Sequence, residues 1–285
     1  MAVLDPIIVN NSKELSVRDF NKNEIEQIVK EFYFNNFGLS RPLVKIGDEY
    51  STIEKAIAYL KNLTVEEIED GTKSYVDIVN LIPGVSARLR AVAKNHYDLA
   101  NGNGKASVVI FCETIFNEYT YLGLPPVGKG DSQYLSNEGG YPTAQGLHEQ
   151  LDALYDKLPN ALKEAIKLVE IPCYIPRYQI SDAKYICKLF VPSATELGVG
   201  HDDENYGTNI PENGDGSKYD YFDSGNGEVA CNKRKTKFIN GDDGYFWTRT
   251  PFLSYASCWF SVDTGGRVDV GGPNVSCGLP LAFCI

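Results

Sequence analysis

Three histidines and seven cysteines are the side chains of this 285-residue chain best suited to metal or nucleophilic chemistry. His96, His148 and His201 stand in neither H-x-x-H nor H-E-x-x-H spacing, so no two of them share one helix face around a zinc ion. The cysteines (Cys112, Cys173, Cys187, Cys231, Cys258, Cys277 and Cys284) form no C-x-x-C pair, the usual spacing of a structural zinc site. Free thiols are the expectation in a reducing compartment, and Cys258 with Cys277 is the pair to consider for a disulfide. His201 opens "HDDEN", the densest acidic stretch. Its oxygens could hold Ca²⁺, but the EF-hand glycine and closing glutamate are missing, and a solvated loop is the simpler reading. Neither G-x-S-x-G, a P-loop nor G-x-G-x-x-G occurs. Asp242 and Asp243 form a carboxylate pair, but "NGDDGYFW" reads more simply as a turn before a strand. The residue types therefore point to no catalytic set, no metal and no cofactor.

Charge removes further classes. A net charge of −11 and a pI near 4.8 argue against a nucleic-acid binder, which needs a basic face. The one basic run, Lys233, Arg234, Lys235 and Lys237, reads as a solvated strand or turn. The opening "MAVLDPIIVNNSKELSV" has no basic n-region and no apolar h-region. No apolar run reaches the roughly 20 residues of a membrane span. The expectation is a chain made in the cytoplasm without a signal peptide and without a membrane span.

The elements that would position a site fall into two parts. Residues 1–71 read as a small helical module. Ile25, Ile28, Val29, Phe32 and Tyr33 form one helical stripe, and Ser51 with Glu54 gives a capping-box pattern before a second helix. "TVEEIED" suggests a further helical turn, and "RPLVKIGDEY" one strand. From residue 72 to 285 the texture becomes strand-rich. "SARLRAVA" and "KASVVIF" alternate like strands around an "NGNGK" loop. Two helices follow, over "TAQGLHEQLDALYDKL" and "PNALKEAIKLV", and the last 45 residues read as short strands with glycine turns. "VDTGGRV" reads as a hairpin connection, with Thr264, Gly265 and Gly266 in the turn.

Four segments, taken in order, resemble a known pattern: "RLRAVAKNHYD" (88–98), "LPNALKEAIKLVEIP" (158–172), "KLFVPSATELG" (188–198) and the tail that opens with "YFWTRTP" (245–251). With "GSKYDYF" (216–222) they are similar to an uncharacterised domain family of gut Gram-positive bacteria and their phages. That family looks like the C-type-lectin-like fold, in the variant shared with formylglycine-generating enzymes and with variable proteins of diversity-generating retroelements. In such systems a reverse transcriptase rewrites the 3′ end of a target gene at template adenines.

The resemblance implies an α+β architecture: a C-type-lectin-like domain of short mixed strands with flanking helices, behind the N-terminal module. It also implies a non-enzymatic ligand binder with a variable tail at about 250–280. Period two sets Phe260, Val262, Val268 and Val270 inward. The outward set, expected to meet ligand, is Trp259, Ser261, Asp263, Arg267, Asp269 and Gly271. Phe252, Leu253, Tyr255, Ser257, Cys258, Gly272, Asn274, Ser276 and Cys277 stand beside it. The implied partner is a protein or glycan on a target cell surface, and the N-terminal module would dock to a phage tail or surface assembly or oligomerise. That places the protein on a virion tail or cell surface. Two alternatives stay open: an oxidase of the formylglycine-generating type, and a structural phage or bacterial protein without its own ligand. This chain departs from the family's closing "GVRPAF". It has Gly278, Leu279, Pro280, Leu281, Ala282 and Phe283, without the arginine. It also has only one asparagine after Asn240, Asn274.

Overall fold

Tyr75–Ile82 (β3) and Val85–Lys94 (β4) form the central hairpin, joined by Pro83 and Gly84 with Gly84 at φ +79°. Proline fixes the first turn position and glycine accepts the positive φ of the second. β4 lies between β3 and Val108–Phe116 (β6) in the sheet and buries side chains on both faces (Val85, Ala87, Leu89, Arg90, Ala91, Val92, Ala93). The computed structural model describes residues 42–116, 140–199, 207–212, 215–223, 228–239, 241–254, 258–271 and 277–285. The architecture is α+β.

Among the described residues three sheets are present. The largest has nine strands and runs β11-β10-β6-β4-β3-β1-β2, with β15 paired to β6 and carrying β9. Its remaining members are Leu43–Ile46 (β1), Glu49–Ser51 (β2), Leu189–Phe190 (β9), Thr236–Phe238 (β10), Asp243–Gly244 (β11) and Leu279–Cys284 (β15). The second sheet is Asp98–Leu99 (β5), Val169–Ile175 (β7) and Ile180–Cys187 (β8), in the order β5-β7-β8. The third is Phe246–Pro251 (β12), Trp259–Val262 (β13) and Val268–Gly271 (β14). The two expected helices lie at Gln145–Lys157 and Asn160–Ala165, and Leu147, Leu151, Leu154 and Leu158 are all buried.

The expected module boundary at residue 71 differs from the structure. Pro42–Ile285 is one compact unit, and β1 pairs antiparallel with β3 through Leu43–Val79, Val44–Ile78 and Lys45–Asp77. The helix Ile53–Asn62 buries Ile53, Ala56 and Leu60 in the same core as Val76, Leu89 and Phe283. A segment that hydrogen-bonds a central strand pair and fills its core belongs to that domain. The capping box also sits elsewhere. Thr52, not Ser51, caps the helix, with its side chain accepting from Lys55 N. The reciprocal box belongs to Thr64 and Glu67, ahead of the short helix Val65–Asp70. The stripe from Ile25 to Tyr33 lies outside the described residues.

Candidate functional site

β12 positions the tail and is wholly buried. It pairs with β13 through Phe246–Val262, Trp247–Ser261 and Pro251–Trp259, with a bulge between Trp247 and Pro251. A bulge re-aims the residues it contains. Here Thr248 Oγ1 donates to Phe260 O (2.9 Å), while Arg249 N leaves the sheet to donate to Pro192 O (3.0 Å). Arg249 thereby turns its side chain into the interior.

There it meets Glu196, from "PSATELG", in a pair that is shut off from solvent. Arg249 Nη1 donates to Glu196 Oε2 (2.6 Å) and Nη2 to Oε1, a bidentate fork. Tyr97 OH donates to Glu196 Oε1, Tyr219 OH to Oε2 (2.8 Å), and Ser193 N to Oε2 (3.0 Å). Glu196 N returns a bond to Ser193 Oγ (3.0 Å). The guanidinium is completed by Val191 O at 3.0 Å and Pro172 O at 3.2 Å. Burial pushes the Glu196 carboxyl up. The Arg249 charge and hydrogen bonds outweigh it and hold the group below its ordinary value. Burial beside Glu196 lifts both tyrosines well above the usual phenol range. His96, edge-on to the Tyr97 and Tyr219 rings, is lowered by burial. A charge pair this enclosed meets no solvent-borne substrate. It ties four chain segments to one point: β12, the 193–198 turn, the end of the "KNHYD" stretch and Tyr219 of "SKYDYF".

Asp215 sits beside this pair. Its Oδ2 accepts from Thr195 Oγ1 (3.0 Å) and Thr250 Oγ1 (2.7 Å), and Thr250 Oγ1 in turn accepts from Ala194 N (2.7 Å). Burial raises its pKa to about 6 from 3.8. The folded state therefore binds this proton more tightly than the unfolded chain. The contribution to stability is fully present below the ordinary value and is lost as pH rises through about 6, a difference of about 3 kcal/mol. Asp215→Asn keeps an oxygen acceptor for both threonines and removes the titration. It should exceed the natural chain in urea stability by up to about 3 kcal/mol at about pH 7 and by little at about pH 4.

The expected hairpin forms between β13 and β14, paired through Trp259–Gly271, Phe260–Val270, Ser261–Asp269 and Val262–Val268. Asp263 N donates to Arg267 O (2.8 Å) and Gly266 N to Asp263 O (2.9 Å), which closes the turn. Gly266, at φ +79°, seats that turn against Cys231 O, 1.9 Å from where a Cβ would stand. Phe260, Val268 and Val270 form a small second core with Ala194, Val199, Ile210 and Phe252. Phe252 meets Phe260 edge-on, with ring centroids 5.5 Å apart.

The opposite face of the hairpin is not the open surface expected of it. Trp259 is 0% exposed and belongs to the main core with Trp247. Gly271 is a packing glycine, because Trp247 Cη2 lies 2.9 Å from its Cβ position. Cys277 is buried in the same core. These three are corrections to the expected ligand face. β12 lies beside β13 and the main core covers that side; that core also takes in Val262, the expected face-mate of Phe260, so burial does not divide the hairpin into one inward and one outward set. Ser261 and Asp263 are half-buried, and Asp263 Oδ1 accepts from Arg267 N (2.7 Å). Solvent reaches the edge strand β14 and its turn, where Arg267 and Asp269 are exposed, and the 252–254 loop, where Leu253 is 40% exposed. Leu253 N is fixed to Asn209 O (3.1 Å), and Ser254 Oγ bonds Asn209 Oδ1. Cys258 is half-buried, and all seven cysteines are free, the Cys258 and Cys277 pair included. Tyr255, Ser257, Gly272, Asn274, Ser276 and the "HDDEN" loop lie outside the described residues.

Tyr97, Ser193, Glu196, Asp215, Tyr219, Arg249 and Thr250 form the cluster that the residue-type search passed over, although every one falls in or beside a segment of the resemblance. A sequence signal existed at Ser193–Glu196, whose S-x-x-E spacing is that of a capping box. Among the described residues no three His, Cys, Asp or Glu side chains converge on a metal position, and no helix is long and apolar enough to cross a membrane.

Fold and site together define a class: an α+β protein whose C-terminal three-stranded sheet is clamped by a buried ion pair and leaves one edge strand and one loop in solvent. Residues 131–285 match a protein family described as a domain of unknown function, DUF6273, and the chain belongs to that family. The match takes in Glu196, Asp215, Tyr219 and Arg249 and leaves His96 and Tyr97 outside it. No curated protein and no solved structure matches the chain.

Proposed function

We propose that this chain is a non-enzymatic ligand-binding protein of C-type-lectin-like fold, the variable protein of a diversity-generating retroelement. The observation that supports this most is the division of labour in the tail. Trp247, Arg249, Trp259, Phe260 and Cys277 hold the sheet to two cores. Leu253, Arg267 and Asp269 project from that frame into solvent and support neither core. A surface can change its residues without cost to the fold only where the two sets are separate. An apolar residue, a guanidinium and a carboxylate on a rigid edge make a mixed surface for a protein or glycan, with few anchors and adaptable polar contacts. The target is a cell-surface molecule, and the protein is carried on a virion tail or cell surface with residues 1–41 as the docking segment.

The deciding experiment reads DNA. Natural copies of the gene are deep-sequenced over the codons for residues 250–280, together with the flanking DNA. The proposal expects variation at 253, 267 and 269, constancy at 259, 271 and 277, and a nearby near-copy that differs at adenines. A tail as constant as residues 80–200, with no near-copy, overturns it.

A further inference from the structure

β8 closes the small sheet and, among the described residues, is hydrogen-bonded on one side only, to β7. An open strand edge offers a row of N–H and C=O groups to another strand. Ile180 and Ile186 on this strand are 37% and 52% exposed. The register with β7 sets Ala183, Tyr185 and Cys187 opposite the buried Cys173, Ile171 and Val169, so these face the core. Asp182, Lys184 and Ile186 lie on the outer face, whereas a register shift past Cys173 sets Ile180 opposite Ile175, at the irregular start of the strand. About Ala183, Asp182 and Lys184 are each other's antiparallel complement.

We propose that β8 is the interface of a symmetric homodimer, two copies pairing antiparallel about a two-fold axis at Ala183 so that the sheet continues from one chain into the other. In this register Asp182 lies opposite the partner subunit's Lys184. Symmetry forms this pair twice. Apolar and opposite-charge cross-strand pairs stabilise such a junction, and like charges oppose it. The smallest slip that keeps both inner faces on the same side is two residues. In one direction it sets the two Asp182 carboxylates against each other, in the other the two Lys184 ammonium groups. The charges that protect this edge against indiscriminate pairing thus select one partner and one register. Lys184 is already held on this face by Glu170, Nζ to Oε2 at 2.8 Å, so less side-chain freedom remains to be lost on pairing. The dimer stands independently of the ligand reading. If both hold, each assembly presents two recognition edges, which strengthens weak single-site binding.

The test follows sedimentation of the full chain across a concentration series, for the natural protein, Asp182→Lys and Lys184→Asp. Each variant alone places two like-charge pairs in the junction and should weaken dimerisation at least about tenfold. Mixed in equal amounts, the two variants oppose lysine to aspartate at every pair and should regain a dimer. Thermal melting checks that each remains folded. Asp182→Lys leaves the Glu170 contact intact and decides alone if Lys184→Asp does not fold. A natural chain that stays monomeric up to about 0.5 mM, a dimer as strong in the variants, or folded variants that fail to associate when mixed overturns the proposal.

Discussion

Arg249→Met should destabilise the protein by about 3–5 kcal/mol, the largest loss expected from any single polar substitution in this chain. Methionine fills much of the same volume, so the cost is mainly electrostatic. Glu196 would keep the bonds from Tyr97, Tyr219 and Ser193 but lose both guanidinium contacts, and its charge would stand unpaired in the interior. The carbonyls of Val191 and Pro172 would lose a donor as well. Urea denaturation at several pH values separates this account from simple loss of packing. In the natural chain the folded Glu196 lies below its ordinary value, so its contribution is present above the unfolded pKa and is lost as pH falls through the folded one. In Arg249→Met burial, the largest influence on the group, is opposed only by the remaining hydrogen bonds, so the group should move upward and its contribution should instead fade as pH rises. A variant whose loss is the same at every pH would show that Glu196 and Arg249 are not coupled. Replacing both partners, Glu196→Leu with Arg249→Met, should recover part of the loss, because no charge is left behind.

Much of the framework was readable from local patterns. The alternation of Phe260, Val262, Val268 and Val270 and the turn at 264–266 mark the observed hairpin, and the observed pairs Phe260–Val270 and Val262–Val268 keep that alternation. The leucines at 147, 151, 154 and 158 mark a helix and its buried side correctly. Failures came where the deciding partner lies far along the chain. Alternation says which residues share a face but not what covers that face, and Trp259 is covered by a core that includes Trp247 and β15. Residues 42–71 look like part of a helical module because their strand partner, β3, comes after the helices. The Glu196–Arg249 pair spans 53 positions. Each partner sits in a short, otherwise mostly uncharged segment, and nothing local marks one as belonging to the other. The cap moved by one residue, from Ser51 to Thr52, because both side chains can accept and the helix start decides between them.

Trp259→Ala should cost about 3–5 kcal/mol and leave the tail poorly ordered, whereas Leu253→Ala, Arg267→Ala and Asp269→Ala should each stay within about 0.5 kcal/mol of the natural chain. The contrast follows from position. Trp259 fills the main core beneath β13, and its loss opens a cavity between the small sheet and that core. Its indole N–H has no hydrogen-bond partner, so Trp259→Phe, which keeps most of the ring and removes that donor, should cost far less than alanine. Leu253, Arg267 and Asp269 lie where truncation opens no cavity, although Arg267 and Leu253 keep backbone ties to Asp263 and Asn209 that survive it. Thermal melts of these five variants and of the triple alanine variant give the comparison. If the triple alanine variant at 253, 267 and 269 melts with the natural chain, these positions are free to vary as a diversified surface requires. If it melts as low as Trp259→Ala, the edge carries the fold, and a recognition surface must be sought elsewhere on the molecule.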